Sequence, residues 1–149
     1  MKKYELTEET FTVFGKTLYR IRAVRDFGSV KTGEFGGYIE KEENLSHFGN
    51  AWIYGNARVS DNARVYGNAE VFNTRHFFVQ GPIGSRDGYV TFYRTKDDTV
   101  EVRCGCFSGS LQEFVNQVEE THGGSRYEKE YKLAAELAKV CIRLEGESK

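Results

Sequence analysis

The chain has 149 residues, of which 39% are hydrophobic and 29% are charged, so it holds enough apolar material for a core and wholesale disorder is excluded. Its 21 Lys and Arg residues against 22 Asp and Glu residues give a formal net charge of −1, which leaves no basic excess to bind DNA or an anionic membrane surface non-specifically. Because no apolar run approaches a bilayer span and three Cys residues cannot all pair, we expect a protein of the reducing cytoplasm, with no membrane partner and no specific nucleic-acid partner.

Two alternating segments near the N-terminus predict a β-hairpin. Apolar and polar side chains alternate over residues 10–14 and again over residues 18–23, with Gly15-Lys16 as the predicted turn. The next segment contains Gly28, Gly33 and the pair Gly36-Gly37, and it predicts a loop. We expect residues 1–36 to form a hairpin cap on the segment that follows.

Five consecutive six-residue repeats occupy residues 43–72, which we call the hexad segment: ENLSHF, GNAWIY, GNARVS, DNARVY and GNAEVF. The second place is always Asn, the third is Leu or Ala, and the fifth is His47 and then Ile or Val. A weaker copy, GYIEKE, begins at Gly37. A period of six fits neither a helix nor a simple strand and is typical of a parallel β-helix in which three hexads make one coil. Residues 37–72 therefore predict a short left-handed parallel β-helix of about two coils.

The places within a hexad predict which side chains face inward. The third and fifth places point into the prism, and Asn with Gly or Asp tolerates left-handed backbone at the turns. The outward fourth and sixth places carry charged and aromatic side chains: Trp52, Tyr54, Arg58, Arg64, Tyr66, Glu70 and Phe72. Outward aromatic side chains indicate a covered surface. The cover could come from the same chain or from another subunit, and we favour a contact between subunits of a homo-oligomer, for example a trimer.

Residues 73–149 predict a small α+β module of three strands and two helices. The predicted strands are His76–Gln80, Tyr89–Arg94 and Val100–Cys106, and a turn-rich loop connects the first two. Ser110 with Glu113 forms the capping box of the first helix, and Ser125 begins the second. The predicted fold class is thus mostly β, with a hairpin cap, a β-helix and an α+β C-terminal module.

Several motifs together resemble a known family. They are Thr17–Ile21, Gly36–Ser46, the GNARVY hexads, Gly81–Arg86 (GPIGSR), Thr91–Tyr93 (TFY), Cys104–Phe107 (CGCF) and Tyr131–Ala134 (YKLA). The chain resembles hexapeptide-repeat proteins of phages and prophages, a family often labelled polymer-forming proteins or transferases. The resemblance implies a phage accessory protein with a β-helical body, located in the host cytoplasm. It implies no established reaction.

The segment from Gly81 to Tyr89 is the best candidate for ligand binding. Its glycines let backbone N–H groups converge on an anion, Ser85 adds a hydroxyl, and Arg86 adds a forked cation suited to phosphate or carboxylate. Aromatic side chains that follow could stack on a base. The candidate ligand-binding residues are Gly81, Gly84, Ser85, Arg86, Asp87, Tyr89, Tyr93 and Arg94. The alternative is an ordinary glycine-rich connection with an exposed arginine.

Catalytic and metal sites have weaker support. Hexapeptide acyltransferases, to which the hexad segment is similar, use a His as general base, and the chain offers His47, His76 and His122. A satisfied core or capping role explains each of them. Cys104 and Cys106 fall on one side of a predicted strand and could supply two zinc ligands, although two thiols packed under the helices are the favoured interpretation. We predict no catalytic residue, no metal and no cofactor.

These patterns suggest three functions. The favoured one is a non-catalytic, homo-oligomeric accessory protein that binds and sequesters a small anionic ligand, such as a nucleotide defence signal of the host. The defence context comes from the resemblance alone. The alternatives are a structural or protein-interaction module that docks a host defence protein or a phage protein, and an acyltransferase of the hexapeptide type.

Overall fold

The computed structural model describes residues 2–145. Their packing divides the chain after Thr74 into two compact units, here called unit 1 and unit 2. Residue 1 of the predicted hairpin cap and residues 146–149 of the predicted α+β module lie outside the described residues. The three-part division at residues 36 and 72 stays a prediction.

Unit 1 begins with an antiparallel sheet of three neighbouring strands, β1 (Tyr4–Val13), β2 (Lys16–Ala23) and β3 (Phe35–Ile39). The predicted hairpin is present, but its turn is displaced by one residue. Val13 pairs with Lys16, so Phe14 and Gly15 form the turn, and both have positive φ as a two-residue type I′ turn requires. The glycine-rich segment predicted as a loop also supplies β3.

Parallel pairings stack the hexad segment and its weak N-terminal copy into rungs. The short strands involved are β4 (Trp52–Ile53), β5 (Arg58–Val59) and β6 (Glu70–Val71). Strand β3 pairs with β5, Leu45 bridges to Val65, and β4 pairs with β6. These pairings connect position 38 to 58, 45 to 65 and 52 to 70 along the chain. Three hexads make 18 residues, which is the separation expected when the chain returns to the same face after one coil. The first coil contains a small insertion in addition. The left hand of the coil stays a prediction.

The inward places of the hexads are buried, with one exception. All third-place side chains and the aliphatic fifth-place side chains are at most 4% exposed, whereas His47 is half-buried. Left-handed φ occurs at the first place of the hexads, at Gly49, Gly55, Asp61 and Gly67, and not at the Asn. The first of these asparagines, Asn44, is buried and holds two levels of backbone together. The amide of Asn44 donates to the carbonyls of residues 61 and 63 while its oxygen accepts from the N–H groups of residues 40 and 41.

Trp52 differs from the favoured prediction that another subunit covers the outward aromatic side chains. It is 1% exposed, with the ring of Phe27 edge-on at 5.1 Å and that of Tyr4 at 6.2 Å. The chain itself therefore covers Trp52, because the segment after β2 folds over this outward place. Tyr54 stacks on Phe72 at 4.3 Å, and Phe72 keeps 45% of its surface exposed.

The described part of unit 2 holds four antiparallel strands rather than the predicted three. They are β7 (Phe77–Ile83), β8 (Gly88–Arg94), β9 (Val100–Cys104) and β10 (Phe107–Ser110), in the spatial order β10-β9-β8-β7. The predicted strand Val100–Cys106 ends early because Gly105, with φ of 57°, and Cys106 form a two-residue turn. The chain then returns as β10.

Two helices, α1 (Leu111–His122) and α2 (Arg126–Cys141), pack on this sheet. The predicted capping box is present, since the Ser110 hydroxyl accepts from the N–H of Glu113 while the Glu113 carboxylate accepts from the N–H of Ser110. The core between sheet and helices consists of Val90, Phe92, Val102, Phe114, Val118, Ala134, Ala135, Ala138 and Ile142. The mostly β fold with two C-terminal helices is confirmed.

In the part of the chain that the structure describes, neither helix has the length and apolarity that crossing a membrane requires.

Candidate functional site

The structure separates the eight predicted ligand-binding residues along one hairpin. Gly81 lies within β7, and Gly84–Asp87 form the turn to β8, which carries Tyr89, Tyr93 and Arg94. A strand of this length spans about 20 Å. Arg94 therefore lies far from Asp87, and only the turn residues and Tyr89 are brought together.

Tyr93 and Arg94 are buried at the far end of β8. Tyr93 is fully buried, and Arg94 is 3% exposed. The Arg94 Nε donates to Asp98 Oδ1 at 3.0 Å, and its Nη2 lies 3.5 Å from Glu145 Oε1. This arginine is therefore neutralised within unit 2. A ligand at the turn reaches neither side chain.

Gly84 fixes the turn against α2. Its N–H donates to Glu130 Oε1 at 2.7 Å, and a Cβ at this position would overlap the Tyr131 hydroxyl. Its φ of 81° is a second reason for glycine here. The predicted backbone nest is therefore partly filled by the protein's own carboxylate, and the N–H of Gly84 is not available to an anion.

Arg86 is the cation that remains available at this turn. It is exposed, as are Ser85 and Asp87 on either side. Within residues 2–145, the Arg86 guanidinium has no hydrogen bond or ion pair, whereas that of Arg94 has acidic partners. Tyr89, 41% exposed, follows in β8. A guanidinium, a hydroxyl and an aromatic ring can together hold a phosphate or carboxylate attached to a flat group.

Sequence reasoning missed the residues that support the turn, Glu130 and Tyr131 of α2. In the sequence, Tyr131 stands out only as the first residue of the YKLA motif, which contains no signal for its contact with Gly84. Burial raises the pKa of Tyr131, and the neighbouring Cys104 thiol, to which its hydroxyl is hydrogen-bonded, raises it further. Burial likewise raises the pKa of Cys104, while the bond to Tyr131 acts in the opposite direction.

His47, the one histidine of the hexads, has both ring nitrogens occupied. Nδ1 accepts from the N–H of Lys3 at 3.0 Å, so Nε2 carries the proton and donates to Glu42 Oε1 at 2.8 Å. The ring also stacks on Tyr4 at 4.1 Å. This arrangement leaves no free lone pair for a general base and agrees with a capping histidine.

The other two histidines lie in unit 2. His76 is 7% exposed, and burial, aided by the charge of Arg94, lowers its pKa. His122 packs against Tyr127 and Tyr131, with ring centroids 5.9 and 5.5 Å apart.

The cysteines differ from their predicted placement. Cys104 is half-buried at the end of β9, but Cys106 is exposed in the turn, so the two are not both packed under the helices. Among the described residues, no group of three or more His, Cys, Asp or Glu side chains could hold a metal ion.

Lys3 is an unusual buried cation of unit 1. It is fully buried, and its Nζ donates to the carbonyl of Ala51 at 2.6 Å and lies 4.9 Å from the ring centroid of Phe27. Burial, with a smaller contribution from Arg25, lowers the pKa of Lys3 to about 7. Lys3 thereby anchors the N-terminus to the hexads, and nothing in the sequence pattern indicated this role.

Comparison with known proteins gives one partial similarity. No protein-family model matches the chain. A curated protein named "Uncharacterized acetyltransferase YdcK" from Escherichia coli strain K12 is 39% identical over 62 residues. The match takes in 36% of this chain and 19% of that protein, so the chain spans about a fifth of the length of this relative. It supports the hexapeptide-repeat resemblance in part and shows nothing of the C-terminal pattern.

This similarity corrects one prediction. We expected a protein without enzymatic activity, and the name of the relative, an acetyltransferase, contradicts that expectation. The weak and partial match leaves the enzyme question open and assigns no reaction to this chain.

Proposed function

We propose that this protein is a homo-oligomer of the hexapeptide-repeat type that binds a small anionic ligand at the turn Gly84–Asp87 of unit 2. The observation that carries the proposal is Arg86, an exposed guanidinium without a hydrogen bond or ion pair among the described residues. Glu130 and Tyr131 support the turn from α2, so Arg86 projects from a fixed backbone. A nucleotide fits this chemistry, because its phosphate suits the guanidinium and its base suits the ring of Tyr89.

The rest of the proposal concerns the hexads and the setting. The parallel pairings support a two-coil left-handed β-helix as the rigid body of each subunit. The resemblance supports a phage accessory protein that acts in the host cytoplasm by sequestering a defence signal. Self-association is supported by α2, where Leu133, Leu137 and Val140 leave 64%, 45% and 69% of their surface exposed at helical spacing.

The test is a ligand panel with matched arginine variants. Thermal melting and then calorimetry are recorded with inorganic phosphate and with nucleoside mono-, di- and triphosphates. We expect at least one nucleotide to raise the melting temperature by mass action. Arg86→Ala should weaken its binding about tenfold or more, because a charge-assisted hydrogen bond contributes about 1.5–3 kcal/mol. Arg126→Ala, which removes another exposed arginine of unit 2, should leave the affinity unchanged.

Two results would contradict the proposal. One is a melting temperature that stays constant across the panel, with no ligand released when the purified protein is heated. The other is binding that Arg86→Ala and Arg126→Ala weaken equally, because that would indicate a general charge effect.

Acyl transfer is a second candidate, favoured by the name of the curated relative. His47 would have to release the N–H of Lys3 from Nδ1 before it could accept a proton, since Nε2 already carries one and donates it to Glu42. The test is release of coenzyme A from acetyl-coenzyme A in the presence of amine and hydroxyl acceptors, followed chromatographically. Turnover that is lost in His47→Gln but retained in His122→Gln would support this candidate. Equal turnover in both variants would exclude His47 as the base.

A further inference from the structure

A Cys-Gly-Cys sequence forms the tight turn between β9 and β10. Cys104 ends β9 and pairs with Phe107, the first residue of β10, which leaves Gly105 and Cys106 as the loop. Gly105 has a φ of 57°, as the first central residue of a two-residue hairpin often does. The turn therefore fixes the backbone between the two cysteines.

The separation of the two cysteines suits a disulfide. Two residues of extended chain span at most about 7 Å between Cα atoms, and a turn shortens that span. Disulfides need a Cα separation of about 4.4–6.8 Å. All three cysteines are free thiols in this structure. This Cα separation therefore permits ring closure between Cys104 and Cys106.

The surroundings give the two thiols different roles. Cys106 is exposed and can meet a reagent from solution, whereas Cys104 is half-buried against the core of unit 2 and hydrogen-bonded to Tyr131. The more accessible thiol is the one that meets a reagent from solution first. Cys106 is thus the attacking thiol and Cys104 the resolving one. Cys141, on α2, is not part of the pair.

We infer that Cys104 and Cys106 form a redox-active dithiol that low-molecular-weight disulfides of the glutathione type convert to an intramolecular disulfide. The Cys106 thiolate attacks the small disulfide, forms a mixed disulfide and releases one thiol. The Cys104 thiolate then attacks the Cys106 sulfur and releases the second thiol, so that the protein loses two electrons and two protons and the small disulfide gains them. This modification site does not depend on the proposed ligand.

The experiment uses the full chain after reduction and removal of the reductant. The protein is equilibrated with mixtures of reduced and oxidised glutathione, its free thiols are blocked with N-ethylmaleimide, and it is digested with trypsin. A single peptide from Cys104 to Arg126 carries both cysteines of the pair. As the fraction of oxidised glutathione rises, we expect this peptide to lose its N-ethylmaleimide label. Its mass should then be about 2 Da below that of the unlabelled peptide with two thiols, while Cys141 stays labelled.

Variants separate the pair from general thiol oxidation. Cys141→Ser should retain the internal disulfide, whereas Cys106→Ser should abolish it, and circular dichroism checks that each variant is folded. Phenylarsine oxide, which bridges two neighbouring thiols, should protect both cysteines from N-ethylmaleimide in the reduced protein and in Cys141→Ser. A stable glutathione adduct on Cys106 beside a labelled Cys104 would overturn the inference. Full labelling of both at every glutathione ratio would also overturn it.

Discussion

The buried ammonium of Lys3 links the stability of unit 1 to pH. Its pKa is about 7 in the folded state, against an ordinary value of 10.5. Between these values the unfolded chain binds a proton that the folded chain does not, so the free energy of unfolding rises with pH across the window. Below about pH 7 both states are protonated, and the full cost of the buried charge remains.

Lys3→Met tests this linkage. In the variant, most of the rise in the free energy of unfolding between about pH 7 and about pH 9.5 should disappear. The difference in this free energy between the variant and the parent chain should be largest, in favour of the variant, near pH 7. The measurement is urea unfolding at a series of pH values. Lys2→Met is the control, because Lys2 is exposed and 3.7 Å from Glu42. Parallel pH profiles for the parent chain and Lys3→Met would contradict the prediction.

Phe14 combines an exposed ring with strained backbone. Its side chain is 97% exposed and its φ is 49°, a conformation that costs a non-glycine residue about 1–2 kcal/mol. Phe14→Asn should raise the free energy of unfolding by about 1 kcal/mol, because Asn tolerates this conformation and no buried contact is lost. Thermal melting measures the gain. Phe14→Ala removes the ring without relieving the backbone, so an equal gain in both variants would disprove the backbone explanation.

Among the elements, β3 depends on the absence of a side chain at Gly37. A Cβ there would overlap the carbonyl oxygen of Ala57 and lie 2.6 Å from Ile53 Cγ2, inside the layer that joins β3 to β5. Gly37→Ala should therefore lower the free energy of unfolding by about 2 kcal/mol or more. Gly88→Ala is the matched control, since nothing lies within 4 Å of its Cβ.

Denaturant unfolding of the two glycine variants measures the difference. A Gly37→Ala protein as stable as Gly88→Ala would mean that β3 can move away from β5 at little cost, against the pairing described here.

The elements also show which features the sequence could predict. Five hexads in register identify the inward places because each repeat provides an independent copy of the same signal. The turn at Gly105 escaped prediction because alternation continues through Cys104 and Cys106, and a two-residue turn needs only one glycine. The burial of Arg94 was not predicted either. An alternating pattern implies that one face of a strand is exposed, but side chains on both faces of β8 are buried.

At the scale of the whole molecule, the proposed self-association has a direct consequence for the mass in solution. Sedimentation equilibrium should give a mass that is a multiple of 17.0 kDa. Leu137→Glu places a charge on the exposed apolar line of α2 and should shift the distribution towards the single chain. Glu136→Gln, one residue away, should not. A single-chain mass for the parent protein at every concentration would contradict a homo-oligomer.

The spacing of the parallel rungs sets how such a chain can lengthen. On the face that contains Trp52, two paired residues are separated by three whole hexads along the chain. A second copy of residues 55–72, here called a cassette, would therefore keep every inward aliphatic side chain aligned with the one in the neighbouring rung. The first round carries its two extra residues in the turn at residues 47–49, because the offset between paired residues is 20 at Leu45 and 18 at Trp52. Growth in whole cassettes is therefore accommodated after this turn, whereas extra residues of any other number must loop out at a corner, as those of the first round do, to keep the following places in register.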